Sequence, residues 1–169
     1  MHLTNTDDSL RLAAGHGKSL RRPRVLAVSS GGGHWVQLLR LRPALAGCDV
    51  AYVTVRRGYR SDVGSSRFYT VPDATRWNRF RLFLMAMQVA YIILLERPDV
   101  VISTGAAPGY FALWVGHLLR ARTVWIDSIA NVEHMSLSGT KVGRVADLWL
   151  TQWPHLAREE GPKFEGAVL

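Results

Sequence analysis

The stretch Val25–Leu39, VLAVSSGGGHWVQLL, decides the fold. Val25 to Ser29 is a short run of mostly branched aliphatic residues, which predicts a buried strand. Three glycines and a histidine follow at once. From His34 to Ala46 the residues Trp35, Leu38, Leu39, Leu41, Leu45 and Ala46 recur at helical spacing, with Pro43 near the end. A strand, a glycine turn and a helix in that order open an alternating α/β pattern.

The pattern continues along the chain. Val50 to Val55 reads as the second strand, stopped by Arg56-Arg57-Gly58, and Arg67 to Val71 as a third, ended by Pro72. A long apolar helix is expected from about Arg76 to Glu96, closed by Pro98. Asp99 to Ser103 is a strand, Thr104 to Gly109 a loop, Tyr110 to Leu119 a helix and Arg122 to Ile126 a strand. A polar stretch covers Asp127 to Gly143, with Ser136 to Gly139 as a hydroxyl-bearing loop. Ala146 to Thr151 is one more strand, and Gly166 to Leu169 reads as the start of another. Strands alternating with helices predict a Rossmann-like, doubly wound parallel sheet covered on both faces. Residues 23–169 form that domain, and residues 1–22 read as a flexible tail. The tail contains Asp7 and Asp8 and no apolar segment, so it is not a signal peptide.

Composition narrows the class. The 169 residues suffice for one domain with a real core. A content of 48% hydrophobic and 20% charged residues excludes a disordered chain. Lys and Arg number 21 against 13 Asp and Glu, a net charge of +8 that points to an anionic partner. The arginines are scattered and no nucleic-acid fold signature is present, so phosphorylated ligands or a membrane surface fit better than nucleic acid. Single Cys48 excludes a disulfide scaffold and suits a reducing compartment. No metal is expected, because Cys, His and carboxylates nowhere cluster at metal-ligand spacing.

Leu82 to Leu95, LFLMAMQVAYIILL, is strongly apolar. Fourteen helical residues span about 21 Å, short of the roughly 30 Å hydrocarbon core of a bilayer. The segment reads as a buried helix or as a helix that also touches the bilayer. Arg76, Trp77, Arg79 and Arg81 just before it suit a headgroup layer and favour membrane contact.

In parallel α/β sheets, ligands bind beyond the carboxyl ends of the strands. That rule selects Ser29–His34, Arg56–Tyr59, Thr104–Gly109 and Asp127–Asn131. Gly31, Gly32 and Gly33 let backbone approach a ligand, and the following helix start favours an anion. The spacing does not meet the G-x-G-x-x-G dinucleotide fingerprint. Arg56 and Arg57 end the second strand where an acid would hold a ribose, although arginine suits the extra phosphate of NADP. An NADP-binding oxidoreductase domain is therefore the weaker alternative. His34 reads as a general base, as a donor to phosphate, or as a residue that merely caps the helix. Gly105 and Pro108 belong to a second small-residue loop that is either a site or an ordinary turn. Asp127, Ser128 and Asn131 form a polar cluster directly after a buried strand, which favours ligand contact.

Four segments together resemble a known family: SSGGGHWVQLL (29–39), PDVVISTGAAPGYFALWVGHLL (98–119), WIDSIANVEHMSLSG (125–139) and ADLWLTQWPHL (146–156). They are similar to the acceptor-binding subunit of two-component UDP-sugar glycosyltransferases, and to the N-terminal half of the lipid II-forming GlcNAc transferase. The resemblance implies one half of a glycosyltransferase type B (GT-B) fold. It implies a membrane-recruiting subunit at the cytoplasmic face that acts on a polyprenyl-diphosphate-linked saccharide. A separate small subunit would bind the UDP-sugar, and no cofactor or metal is implied. On that reading His34 is the general base or the residue that orients the acceptor, with Asp127 a rival for the base. Gly31 to Gly33, Gly105, Pro108, Ser128 and Asn131 contact the acceptor. Asp127 and Asn131 depart from the Glu and Arg common among relatives. A non-catalytic membrane scaffold that activates a partner transferase is the other alternative.

Overall fold

The computed structural model describes residues 21–74 and 77–168. Six strands form one sheet: β1 (Arg24–Val28), β2 (Asp49–Thr54), β3 (Arg67–Thr70), β4 (Val100–Ser103), β5 (Arg122–Ile126) and β6 (Leu148–Leu150). Their order is β3-β2-β1-β4-β5-β6 and every neighbouring pair is parallel. The chain steps outward from β1 in one direction and then returns to β4 on its other side. The topological switch therefore falls between β1 and β4, where such sheets bind ligands.

Among the described residues four helices cover the sheet: α1 (Gly33–Arg40), α2 (Arg79–Glu96), α3 (Ala106–Leu118) and α4 (Leu137–Val142). Four consecutive residues of β1, Val25 to Val28, are buried, as expected where both faces are covered. The two-residue strand period splits them. Leu26 and Val28 join Met85, Val89 and Ile93 of α2 and Ala112 and Leu113 of α3. Val25 and Ala27 join Trp35 and Leu38 of α1 on the opposite face.

Several boundaries differ from the sequence reading, each for a local reason. Pro43 ends α1 early: the helix stops at Arg40 and Arg42–Leu45 is a 3-10 turn. The long helix begins at Arg79, where the Asn78 side chain accepts the Arg81 N–H at 3.0 Å. α3 begins at Ala106, so the small-residue loop is only Thr104 and Gly105. Pro108 sits in the first turn of α3, where no intrahelical bond needs its missing N–H. The stretch expected to be loop up to Gly143 contains α4, capped by the Ser136 side chain, which accepts the Gly139 N–H. Residues 166–168 form no strand. Beyond β6 only Lys163 bridges to Leu150. The flexible-tail expectation for residues 1–22 lies outside the described residues except at Arg21 and Arg22. Both are exposed, and Arg21 pairs with Asp99 at 2.7 Å.

Candidate functional site

Three loops meet at the switch point. The chain leaves β1 at Ser29, whose N–H bonds the Val53 carbonyl of β2 at 3.0 Å. It turns through Gly32, whose φ of 66° favours glycine, and enters α1 at Gly33. The first N–H groups of a helix have no intrahelical acceptor, so those of Gly33 and His34 are free for an anion. Gly32 N–H donates to the Tyr59 hydroxyl at 3.0 Å. The Tyr59 ring stacks on Trp35 at 5.1 Å, and the Trp35 indole donates to Asp62 at 2.8 Å. The 3-10 segment Arg57–Val63 is thus fixed over the glycine loop. The Arg56 side chain crosses Gly31 so closely that a Cβ there would lie 3.0 Å from its Nε. A guanidinium weighed in the sequence against a nucleotide phosphate therefore borders the glycine loop itself.

His34 reaches across the switch. Its Nδ1 lies 3.0 Å from the Thr104 carbonyl oxygen, and the Thr104 hydroxyl donates to the His34 carbonyl at 2.7 Å. A carbonyl can only accept, so Nδ1 carries a proton, and in the neutral ring the lone pair is on Nε2. Gly105 makes the contact possible: a Cβ there would meet Nδ1 at 2.7 Å, and its φ is 130°. Gly105 is buried and Pro108 is buried in α3, so neither presents a side chain to an acceptor. In the structure Gly105 lets His34 pack against this turn, and Pro108 is buried in the first turn of α3.

Asp127 organises the third loop. It is 1% exposed and its carboxylate receives four bonds. Trp125 Nε1 (3.1 Å) and the Ser136 hydroxyl (2.6 Å) donate to Oδ1, and Asn131 Nδ2 (3.1 Å) and Ser136 N–H (2.9 Å) donate to Oδ2. A carboxylate offers about four lone-pair sites, so this one is saturated. Asp127 is therefore poorly placed as a base, and Asn131 is turned toward it. Ser128 is buried, and its hydroxyl accepts the Ala130 N–H at 3.3 Å. Ser136, expected in a hydroxyl-bearing loop, is pinned to Asp127 and caps α4.

Gln37 escaped the sequence reading. Only 3% exposed, it donates to the Asp127 carbonyl at 3.0 Å and accepts the Ile129 N–H at 3.2 Å. It ties α1 to the loop after β5, across 90 residues of chain. No local pattern announces such a tie; the hint is a polar residue in a helix whose neighbours Trp35 and Leu38 are buried. Among the described residues no group of three His, Cys, Asp or Glu side chains is placed to hold a metal ion.

The helix singled out for membrane contact has two faces. Met85, Val89, Ile92, Ile93 and Glu96 are buried. Phe80, Phe83, Leu84, Met87, Tyr91, Leu94 and Leu95 are exposed, Phe80 at 71% and Tyr91 at 66%. Trp77, Arg79 and Arg81 lie exposed at its amino end; Arg76 lies outside the described residues. Among the described residues no helix is long and apolar enough to cross a membrane.

The family described as "Oligosaccharide biosynthesis protein Alg14 like" matches residues 10–168. The chain belongs to this family. It is similar to the UDP-N-acetylglucosamine transferase subunit ALG14 of Eremothecium gossypii, 28% identical, with 87% of this chain and 81% of that protein covered. Among solved structures it resembles Acinetobacter baumannii MurG, with TM-score 0.69 and 14% identity over 84% of this chain. It also resembles a UDP-N-acetylglucosamine 2-epimerase from Rickettsia bellii, with TM-score 0.64, 13% identity and 88% of this chain covered. The chain spans 45% of the MurG chain and 46% of the epimerase. The fold is one Rossmann-like half of a GT-B architecture. Likeness at such identities concerns the fold, since one of these neighbours is an epimerase.

Proposed function

We propose that this protein is the acceptor-binding, membrane-associated subunit of a UDP-sugar glycosyltransferase. It would act at the cytoplasmic face on a polyprenyl-diphosphate-linked saccharide, with a second polypeptide holding most of the UDP-sugar. Membership of the Alg14-like family supports the reaction class, and the half-length match to MurG supports a divided site. The single observation that carries the chemistry is the His34–Thr104 contact at the switch point.

In this reading the acceptor's diphosphate lies against the glycine loop, with the free N–H groups of α1 and the Arg56 guanidinium as its charge partners. An acceptor hydroxyl attacks the anomeric carbon of the donor sugar. The bond from that carbon to the β-phosphate oxygen breaks, and UDP leaves with the electron pair. His34 Nε2 accepts the hydroxyl proton while Thr104 holds the ring through Nδ1. Asp127 keeps Ser136 and Asn131 in place at the loop that closes this side of the site.

The test is His34→Ala in the complex with its donor-binding partner. A proton-transfer role predicts a fall in kcat of roughly 10²–10⁴-fold with an intact complex. A loss below about tenfold overturns it. Full turnover after substitutions in the glycine loop would instead favour a scaffold that only activates its partner.

A further inference from the structure

A cavity opens at the opposite end of the sheet from His34. It has a volume of about 780 Å³ and lies among Arg24, Ile93, Leu94, Arg97, Asp99, Leu119, Arg120 and Arg122. Four of these residues are arginines. The carboxylate among them is already engaged: Asp99 pairs with Arg21 at 2.7 Å and accepts the Arg24 N–H at 2.8 Å. Arg97, Arg120 and Arg122 form no ion pair among the described residues.

A bland explanation is that arginines merely offset the carboxyl ends of α2 and α3, which converge here. Magnitudes decide against it. Two helix ends bring about −0.5 each, leaving an excess of about three positive charges. The backbone points the same way. Arg97 and Arg120 follow α2 and α3 with φ of 44° and 61°, in the left-handed region where glycine is the usual residue. The residue type that would relieve the backbone is absent from both positions, and a guanidinium stands at each.

The apolar part of the cavity lining is continuous with the outer face of α2. Leu94 belongs to both, and Leu119 on the cavity wall adjoins exposed Leu118. Guanidiniums beside an apolar lip suit a lipid phosphate whose acyl chains run along that face. We infer that this cavity holds the phosphate headgroup of an anionic phospholipid. It would anchor the carboxyl end of α2 as Arg79 and Arg81 anchor its amino end, so that the helix lies in the plane of the bilayer surface. The inference rests on the membrane-associated reading above.

The experiment is co-sedimentation of the full chain with phosphatidylcholine vesicles, with and without phosphatidylglycerol. Wild type should bind the mixed vesicles more tightly. The triple variant Arg97→Gln/Arg120→Gln/Arg122→Gln should lose roughly a hundredfold of that binding, about fivefold per arginine. Binding to neutral vesicles, carried by the apolar face, should persist. A control of equal charge loss on the α1 side, Arg40→Gln/Arg42→Gln/Arg60→Gln, should lose far less. Equal losses in the two triples would mean diffuse attraction and overturn the site. Unchanged binding of the cavity triple would overturn the site and leave the membrane reading standing. Failure of wild type to bind either vesicle would remove both. Thermal stabilisation of wild type, but not the cavity triple, by inorganic phosphate alone would assign the cavity to a soluble anion and overturn the lipid.

Discussion

Helices α1 and α2 both follow a strand and both pack on the same sheet, yet they finish their packing differently. α1 buries Trp35, Gln37 and Leu38 and exposes one large apolar residue, Val36. Two of its polar side chains bond across the domain, Gln37 to the loop after β5 and His34 through Nδ1 to Thr104. α2 buries one face and leaves seven large apolar residues in water. A continuous exposed apolar stripe marks an interaction surface, whereas isolated exposed residues do not. On the proposed function the difference separates two tasks within one domain: α1 is tied down to position chemistry, and α2 is left half-covered for a second apolar phase to complete.

The largest expected effect would break the fixed side. Asp127→Ala leaves four donors without their acceptor, two of them from Ser136. A buried unsatisfied donor costs about 1–3 kcal/mol, so a stability loss of about 3 kcal/mol or more is expected after partial rescue by water. Urea unfolding measures it. A loss under about 1 kcal/mol would mean that the loop after β5 does not depend on this carboxylate.

The half-covered side should respond in the opposite manner. Phe83→Ser with Met87→Ser removes two exposed side chains of α2. Stability in water should move by about 0.5 kcal/mol or less, as for surface positions generally. Binding to vesicles should fall at least about tenfold, since burying either side chain is worth up to about 1.5–3 kcal/mol. A large loss of stability with unchanged vesicle binding would show that the stripe serves the fold and not a surface.

Much of this contrast was legible in the sequence. The continuous apolar run at Val25–Val28 and the glycines after it announced the first strand and turn, and the apolar segment 82–95 announced a long helix, either buried or touching a bilayer. The glycine loop and His34 could be placed at the switch point because the carboxyl-end rule is topological and needs no side-chain detail. What stayed hidden depends on distant partners. Gln37 meets Asp127 and Ile129 only after the sheet forms, and Tyr59 finds Gly32 and Trp35 across a 3-10 turn that no period announces. Asp127 was visible as an acid after a strand, but its saturation was not. That depends on the turn that brings Ser136 back nine residues later. The close approach of Gly105 to His34 was hidden as well, since it joins residues about seventy positions apart in the chain.

The smallest effect sharpens how the covered face of α2 is held. Glu96, at the last turn of the helix, has a side chain only 8% exposed. It receives both contacts of Arg67 Nε at 3.0 Å and the Tyr69 hydroxyl at 2.5 Å, both residues from β3. The bond to Glu96, then burial, pushes the Tyr69 hydroxyl up to about 12. The folded chain therefore keeps this proton more tightly than the unfolded chain, which loses it near pH 10. The linked stabilisation is fully present below about pH 10 and is lost as pH rises toward about 12. Tyr69→Phe should cost about 1.5 kcal/mol at neutral pH, the lower value for a bond to a charged group. It should also flatten the decline in stability between pH 10 and 12 relative to wild type. Burial raises Tyr52 as well, with the same sign, but Tyr52 is present in both proteins and cancels in the difference. Parallel profiles through that range would mean that the Tyr69–Glu96 bond does not hold α2 to the sheet.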